Sequence, residues 1–263
     1  MNFIAEASPL SPEGLEDLAD RMDIGVPALW AVLTVETRGC GFLPDRRPTI
    51  LFERHVFRRL TGAAFDATVP DLSHTKAGGY GAEGDHQYRR LERAMALDET
   101  AALKSTSWGL GQVMGFNAHL AGFDSVQQLV RACCSGEDGQ LRAMAGFIEH
   151  EGLGGLLRQA DWKGFARRYN GVDFQKNRYD TKLAQAHARF KVGPLPDLTV
   201  RWVQLALRLL GHAAQVGAVD GWYGRNTQKA LQAFQAARGL PVSGEPDAMT
   251  MGVLSAALGW PID

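Results

Sequence analysis

The sequence predicts a mainly α-helical fold with a small β element, followed by a small three-helix C-terminal domain. In several segments apolar residues recur at spacings of three and four, as Leu141, Met144 and Ile148 do, which is typical of a helix with one buried face. Only residues 49–52 have the composition of a short strand. Residues 193–197 contain a glycine and two prolines and interrupt the helical pattern, so they predict a linker.

Five segments of the first part of the chain carry helical patterns. They are residues 27–37, 88–97, 140–149, 162–169 and 179–190. In the first of these, Pro27 suits the opening turn of a helix and Gly39 suits its C-terminal cap. The segments between them are punctuated by glycine and are predicted to be loops.

The chain of 263 residues divides into two predicted domains, residues 1–192 and residues 198–263, joined by the linker at 193–197. A helical pattern at residues 198–210 opens the second domain, and a repeat with a period of 23 positions follows it. Each copy has a glycine turn, a polar loop, a threonine that suits a helix start, and an apolar helical residue. The matching pairs are Val219 with Val242, Gly221 with Gly244, Thr227 with Thr250, and Leu231 with Leu254.

Composition excludes several classes of function. The 28 basic and 29 acidic side chains leave a net charge of -1, which argues against nucleic acid as a partner. Cys40, Cys133 and Cys134 are odd in number and lack metal-site spacing, so we expect reduced packing residues. No stretch approaches the roughly 18 apolar residues of a membrane span, and the N-terminus lacks the basic and apolar regions of a signal peptide. We therefore expect synthesis in the cytoplasm and no membrane insertion.

Glu36 is a candidate general acid because it ends an otherwise apolar helical segment. The negative end of the helix dipole and the apolar neighbours both favour the neutral carboxyl group. A solvated glutamate in a last helical turn is the alternative. Asp45 and Glu53 follow within 17 positions, so a chain reversal would place a second carboxylate opposite the first, as glycoside hydrolysis requires. A turn residue for Asp45 and a surface ion pair for Glu53 remain open.

Two further segments suit a sugar ligand. In the first, glycines flank Ser107, Trp108 and Gln112, so the backbone can be approached closely, an indole face can pack on a pyranose ring, and an amide can bind hydroxyl or N-acetyl groups. In the second, Tyr169 and Asn170 precede a glycine at a helix end, where an aromatic core residue followed by a cap is the structural alternative. A zinc peptidase is disfavoured because the His-Glu pair at residues 150–151 lacks a second histidine at the required spacing. A cysteine peptidase is disfavoured because Cys40 follows a helix C-terminus.

Together these segments carry a family resemblance over about residues 10–190. The segments ALWAVLTVETRGCGFLPDRRPTILFERHVF, STSWGLGQVMGFN and DWKGFARRYNG, in this order, resemble the lysozyme-like superfamily, which includes goose-type lysozymes and lytic transglycosylases. They resemble most closely the N-acetylmuramidase family found in phage endolysins and prophages. The sequence departs from the expected pattern at Arg46, where the turn after Asp45 would have a glycine.

The resemblance implies a lysozyme-like fold and cleavage of the β-1,4 bond between N-acetylmuramic acid and N-acetylglucosamine. It places the catalytic acid at Glu36 and the second carboxylate at Glu53, and it implies no metal and no organic cofactor. The expected substrate-binding residues are Asp45, Ser107, Trp108, Gln112, Tyr169 and Asn170. Two alternatives stay open: a lytic transglycosylase that leaves 1,6-anhydromuramic ends, and a non-catalytic wall-binding or virion protein.

The C-terminal segment resembles a small peptidoglycan-binding domain with a DGxYGxxT turn, which reads DGWYGRNT here. Aromatic faces and a guanidinium on this turn suit a glycan or its peptide stem. The expected wall-binding residues are Asp220, Trp222, Tyr223 and Arg225. We expect a monomer that binds bacterial peptidoglycan and acts in the periplasm or cell wall after release. We also expect that deleting the chain after Pro196 leaves a folded domain with residual activity on soluble fragments.

Overall fold

Helices dominate the computed structural model, which describes residues 2–37, 39–171 and 174–262. The first domain contains the helices α1 Pro12–Met22, α2 Val26–Glu36, α3 Arg54–Leu60, α4 Asp85–Met95, α5 Glu99–Lys104, α6 Val126–Ser135, α7 Glu137–His150, α8 Gly154–Arg158, α9 Trp162–Tyr169 and α10 Tyr179–Val192. Short 3₁₀ helices cover Gly115–Asn117 and Phe174–Asn177. The predicted fold class, mainly α with a small β element, is confirmed.

Within the described residues, the β structure is one antiparallel sheet of three short strands. The strands are β1 Ile50–Phe52, β2 Thr106–Trp108 and β3 Val113–Met114, in the order β1-β2-β3. Ile50 pairs with Trp108, and Trp108 pairs with Val113, so these three side chains share the buried face. Because side chains alternate across a strand, Leu51 and Ser107 lie together on the opposite face.

Helix α2 carries Glu36 as its last residue. Its sequence is almost wholly apolar, and Leu29, Trp30 and Val32 are all buried, as expected for a helix inside a core. Pro27 lies in the first turn. The helix ends at Glu36 because Thr37 is extended, with ψ of 155°, and its hydroxyl donates to the Leu33 carbonyl at 2.6 Å. Helix α10 packs along α2 and covers it.

The predicted helices are all present, with shifted ends. The segment 162–169 matches α9, and 179–190 falls within α10. Helix α7 begins three residues earlier than predicted because Gly136 is extended and Glu137 opens the helix. The patterns did not predict α1, α3, α5, α6, α8 or the hairpin of β2 and β3. Helices α3, α5 and α8 have only five to seven residues, too few to show a period, whereas α1 and α6 are long enough and were missed.

The second domain confirms the three-helix prediction and adds one short helix. It consists of α11 Leu198–Leu207, a kinked segment at Arg208–His212 in which Gly211 has a φ of 97°, α12 Ala213–Val216, α13 Arg225–Ala237 and α14 Ala248–Leu258. Helix α10 ends at Val192 and α11 begins at Leu198, with Asp197 as its N-cap through a bond from the Val200 amide. Among the described residues, every helix is too short or too polar to span a lipid bilayer.

A buried glutamine clasps each copy of the 23-residue repeat. Gln204 accepts from the Gly221 amide at 2.9 Å, and its Nε2 donates to the Trp222 carbonyl at 3.1 Å and to the Thr227 hydroxyl at 3.1 Å. Gln235 makes the equivalent three bonds, to the Gly244 amide at 2.8 Å and to the Glu245 carbonyl and Thr250 hydroxyl at 3.0 Å each. Both glycines have positive φ, of 74° and 78°. The repeat is therefore structural, although Val219 is buried and Val242 is exposed.

The two domains are in direct contact. Ala7, Cys40 and Phe42 of the first domain belong to the hydrophobic cluster of the second. At one edge of the contact, the Trp260 indole donates to the Glu6 carbonyl at 2.9 Å. Cys40, Cys133 and Cys134 are free and buried, so the prediction that they pack in the core is confirmed.

The three buried hydrogen bonds of Gln235 predict that replacing this residue destabilises the protein. Replacing Gln235 with leucine leaves a buried amide, a carbonyl and a hydroxyl without their partner, and each unsatisfied group costs about 1–3 kcal/mol. We expect Gln235→Leu to lower the free energy of unfolding by about 2–4 kcal/mol in urea denaturation. Gln232→Leu on the same helix is the control, with an expected change below about 0.5 kcal/mol. Equal losses in the two variants would contradict the role of the clasp.

Candidate active site

Glu36 lies at the C-terminal end of α2, half-buried, and one of its two carboxylate oxygens is occupied. The Asn170 side-chain amide donates to Glu36 Oε2 at 2.7 Å. Glu36 Oε1 is buried and has no hydrogen-bond partner among the described residues. The free oxygen is the atom that can carry and release a proton.

Burial raises the pKa of Glu36 to about 7. Removal from water disfavours the carboxylate and is the largest effect, whereas the Asn170 hydrogen bond and the charge of Lys182 on α10 lower the pKa in part. A carboxyl group with this pKa keeps its proton on about half of the molecules at pH 7 and on most of them below it, as a general acid requires. The environment that the sequence predicted for Glu36 is therefore present.

Asn170 and Tyr169 end helix α9 beside Glu36. The Tyr169 ring stacks on Phe165 at 5.2 Å between centroids, and its hydroxyl donates to the Gly111 carbonyl at 3.2 Å. Burial and the charge of Glu36 raise the pKa of the Tyr169 phenol. Asn170 Oδ1 is buried without a partner in the described part of the chain. The structure thus brings Glu36, the α9 end and the glycine-rich segment together, as predicted from the motif order.

The glycine-rich segment is a β-hairpin turn between β2 and β3, and its polar side chains brace that turn. Ser107 donates to Gln112 Oε1 at 2.8 Å, and the Gln112 amide donates to the carbonyls of Gly109 at 2.8 Å and Thr49 at 3.2 Å. Gln112 is exposed, but all three of these bonds are internal. Ser107 and Gln112 therefore shape the wall of the site, and their predicted contact with sugar remains a prediction.

The structure contradicts the predicted role of Trp108. Its ring is 1% exposed and packs against Phe3 at 5.6 Å between centroids, and its indole donates to the Leu103 carbonyl. A ring enclosed in the core has no free face for a pyranose. The nearby glycines serve packing also, because a Cβ at Gly109 or Gly111 would collide with the side chains of Gln140 and Met144 on α7.

Glu53 follows β1 at the N-cap position of α3, and one of its two oxygens accepts a hydrogen bond. The Tyr80 hydroxyl donates to Glu53 Oε1 at 3.0 Å, and His55 Nδ1 lies 3.1 Å from Oε2 without the alignment of a hydrogen bond. Burial and then the charge of Glu53 raise the pKa of Tyr80. Glu53 lies three residues beyond Ile50, which is about 10 Å along the strand. It therefore lies at the far end of β1 from the turn that Tyr169 contacts.

Asp45 is a turn residue in this structure. It accepts from the Arg47 amide at 3.1 Å and from Arg47 Nε at 2.8 Å, and it is largely exposed. Arg46 has a φ of 70°, the conformation that glycine adopts most easily, so the turn geometry survives the departure from the family pattern. The structural alternative for Asp45 is thus favoured over substrate binding or a role as second carboxylate.

The predicted wall-binding residues have different environments. Asp220 accepts from the Gln204 amide at 3.0 Å and from the Trp222 backbone at 3.0 Å, so it shapes the turn. The half-buried Trp222 packs against the first domain, with the Arg189 guanidinium 4.7 Å from its ring centre. One side of Trp222 is therefore covered by the first domain, and its predicted contact with the wall remains a prediction. Tyr223 and Arg225 are exposed and remain candidates.

Sequence reasoning missed four residues that support the site: Tyr80, His55, Glu137 and Gln140. Tyr80 and His55 contact Glu53. Gln140 accepts from the Leu110 amide at 2.7 Å, and Glu137 accepts from the Gly41 amide at 2.9 Å, so α7 holds two loops next to Glu36. No local pattern marks Tyr80, and Glu137 stands in the polar segment Ser135–Gln140, where an acidic residue is ordinary.

The structure places the Glu36 carboxyl group, with its raised pKa, beside the Asn170 amide and the hairpin turn, and places Glu53 at the other end of β1. That set suits acid-assisted cleavage of a bond to oxygen. Within the described residues, no group of three or more His, Cys, Asp or Glu side chains is placed to hold a metal ion.

Comparison with known proteins is consistent with this geometry. A family model described as N-acetylmuramidase matches residues 25–191, and one described as a putative peptidoglycan binding domain matches residues 197–254. The crystal structure of a Burkholderia AP3 phage endolysin is similar, with 39% sequence identity, a TM-score of 0.66, and coverage of 69% of this chain and 70% of that chain. The comparison with curated proteins gave no match.

The raised pKa of Glu36 predicts how stability depends on pH. Glu36 is protonated in both folded and unfolded states below about pH 4.5, whereas above that the unfolded chain loses its proton first, so the wild type loses stability until pH passes 7. Glu36→Gln has no such loss. We expect the variant to exceed the wild type by on the order of 2–3 kcal/mol at pH 8 and to match it at pH 4. Urea denaturation at both values tests this, and an equal difference at both would contradict the burial of a proton on Glu36.

Proposed function

Because the chain belongs to the N-acetylmuramidase family, we propose that it is an endolysin that hydrolyses the β-1,4 bond between N-acetylmuramic acid and N-acetylglucosamine, with Glu36 as the general acid. The observation that carries the proposal is the buried Glu36 carboxyl group, whose pKa is about 7 and whose Oε1 is free. The matched peptidoglycan-binding domain supports peptidoglycan as the substrate.

In the proposed reaction, Glu36 Oε1 donates its proton to the glycosidic oxygen as the bond to the muramic acid anomeric carbon breaks. The leaving N-acetylglucosamine departs with that proton as a free hydroxyl group. Asn170 and Lys182 then stabilise the carboxylate that Glu36 has become, because both interactions favour the charged form. Asn170 Oδ1, which has no protein partner in the described residues, is available to accept from an N-acetyl N–H of the substrate.

Glu53 is the proposed base that completes hydrolysis. It removes a proton from water as the water oxygen attacks the anomeric carbon, and the positive charge of the oxocarbenium-like transition state is balanced by the carboxylate. The Tyr80 hydroxyl donates to Glu53 Oε1 and so orients the carboxylate, and His55 lies beside Oε2.

The assignment of the acid predicts a large activity loss. Glu36→Gln keeps the size and the Asn170 neighbour but has no proton to give, so clearing of purified peptidoglycan should fall about 10²–10⁴-fold. Glu92→Gln, an exposed substitution on α4, is the matched control and should stay within about twofold. Undiminished clearing by Glu36→Gln would reject Glu36 as the acid.

The products distinguish hydrolysis from transglycosylation. Mass spectrometry of digested wall should show reducing muramic acid ends, and Glu53→Gln should lower their yield because the water loses its base. A product set made wholly of 1,6-anhydromuramic ends would contradict hydrolysis and leave Glu53 without its proposed role.

The raised pKa also predicts the pH profile. Activity on soluble oligosaccharides should decline as pH rises through about 7, because the proton on Glu36 is lost. The Asn170 hydrogen bond lowers that pKa, so Asn170→Ala should shift the alkaline limb of kcat/KM to higher pH while reducing kcat. A shift of the limb to lower pH would contradict the role given to Asn170.

A further inference from the structure

A buried ion pair joins the two domains beside the candidate active site. Arg201 on α11 donates from its terminal nitrogen to both carboxylate oxygens of Glu137 on α7, each at 2.8 Å. The Arg201 side chain is 6% exposed and the Glu137 side chain is fully buried. A carboxylate removed from water in this way depends on its positive partner.

Glu137 also holds the chain that follows the candidate acid. Its Oε1 accepts from the Gly41 amide at 2.9 Å, and its Oε2 accepts from the Leu10 amide at 3.1 Å. One turn further along α7, Gln140 donates to the Gly41 carbonyl at 3.3 Å and accepts from the Leu110 amide at 2.7 Å. The start of α7 therefore supports both the segment after Glu36 and the hairpin turn.

Arg201 reaches the same segment directly. Its other terminal nitrogen donates to the Gly39 carbonyl at 2.6 Å and to the Val219 carbonyl at 2.7 Å. Gly39 lies three residues beyond Glu36, so a side chain of the second domain holds the exit of helix α2. A cavity of about 80 Å³ lies at this contact, and Thr37 and Gly39 line it together with Arg201 and Trp222.

We propose that Arg201 is a positioning residue for catalysis, so that the C-terminal domain completes the active site in addition to binding the wall. Arg201 touches no reacting atom. It acts by holding Gly39 and by neutralising Glu137, which together keep the last turn of α2 closed around Glu36. The proposal rests on the proposed role of Glu36 as general acid.

The proposal implies a different result from the expectation that removing the chain after Pro196 leaves a folded domain with residual activity on soluble fragments. Deletion would expose Ala7 and Phe42, which the second cluster buries, and would leave Glu137 buried without its cation. The proposal is therefore tested in the full chain, on soluble peptidoglycan oligosaccharides, for which retention on the wall is irrelevant.

The main variant is the double substitution Glu137→Gln with Arg201→Met. It removes both charges, so no buried charge is left unpaired and the fold is retained, but the donors to Gly39 and Val219 are lost. We expect kcat to fall about 10-fold or more with a smaller change in KM, because small displacements of a catalytic group are costly. We also expect the alkaline limb of the pH profile to move to lower pH, since an opened helix end hydrates Glu36.

Arg201→Lys gives a second, independent measurement. It keeps a positive charge opposite Glu137, but an ammonium group cannot reproduce the planar fork that binds a carboxylate and two carbonyls together. Because the charge opposite Glu137 is retained but buried carbonyls lose their donor, we expect a folded variant whose melting temperature falls by a few degrees, while kcat falls and the alkaline limb moves in the same direction. Arg238→Lys, an exposed substitution on the same domain that lies over Phe234, is the matched control and should change neither.

Two results would overturn the proposal. One is wild-type kcat and an unmoved alkaline limb in the double variant or in Arg201→Lys. The other is a fall in melting temperature with no change in either kinetic readout, which would make the pair purely structural. Failure of the proposed function is separate, because it would be seen as full activity in Glu36→Gln whatever the Arg201 variants do.

Discussion

The rest of the structure depends on a single constraint, that the carboxylate of Glu137 is buried and must be compensated. It lies at the start of α7, where the helix dipole favours negative charge, and it collects backbone amides from Leu10 and Gly41 as well as the Arg201 guanidinium. Removing one partner of such a pair typically costs about 3–5 kcal/mol, a large share of the stability of an ordinary domain. Segments that are far apart in the sequence are therefore fixed relative to one another by one side chain.

The two candidate catalytic carboxyl groups, those of Glu36 and Glu53, lie in different surroundings. Glu36 ends a helix that is apolar on every side, so its charged form is poorly solvated, and one amide and one distant lysine only partly offset that effect. Glu53 follows a short strand, where a tyrosine hydroxyl and a histidine contact it. Distinct environments for two carboxyl groups are how one site can hold an acid and a base at one pH. The two side chains are chemically identical, so the difference in their surroundings comes from where the backbone places them.

Local patterns predicted the parts of the structure that depend on local interactions. The span of α9 follows from its helical pattern, and the environment of Glu36 follows from the composition of α2. The glycines around Trp108 predict that its ring contacts a sugar. In the structure, these glycines instead make room for helix α7, which is distant in the sequence. Arg201 shares a helix face with Leu198 and Leu205, where a charged side chain is unusual. Its partner Glu137, however, lies 64 positions away in the sequence. Long-range pairs of this kind leave no periodic trace in a single sequence.

The glutamine clasps give the small domain two turns of the same backbone geometry that face different surroundings. Position 222 in the first copy corresponds to position 245 in the second, since the Gln204 and Gln235 amides donate to the carbonyls of these two residues. The first copy has a tryptophan there, against the neighbouring domain, and the second has an exposed glutamate. Because the clasps use only main-chain atoms at these two positions, the side chains are free to diverge. In the duplicated turn, one position can therefore contact the neighbouring domain in the first copy and face solvent in the second, while its main chain makes the same hydrogen bond in both.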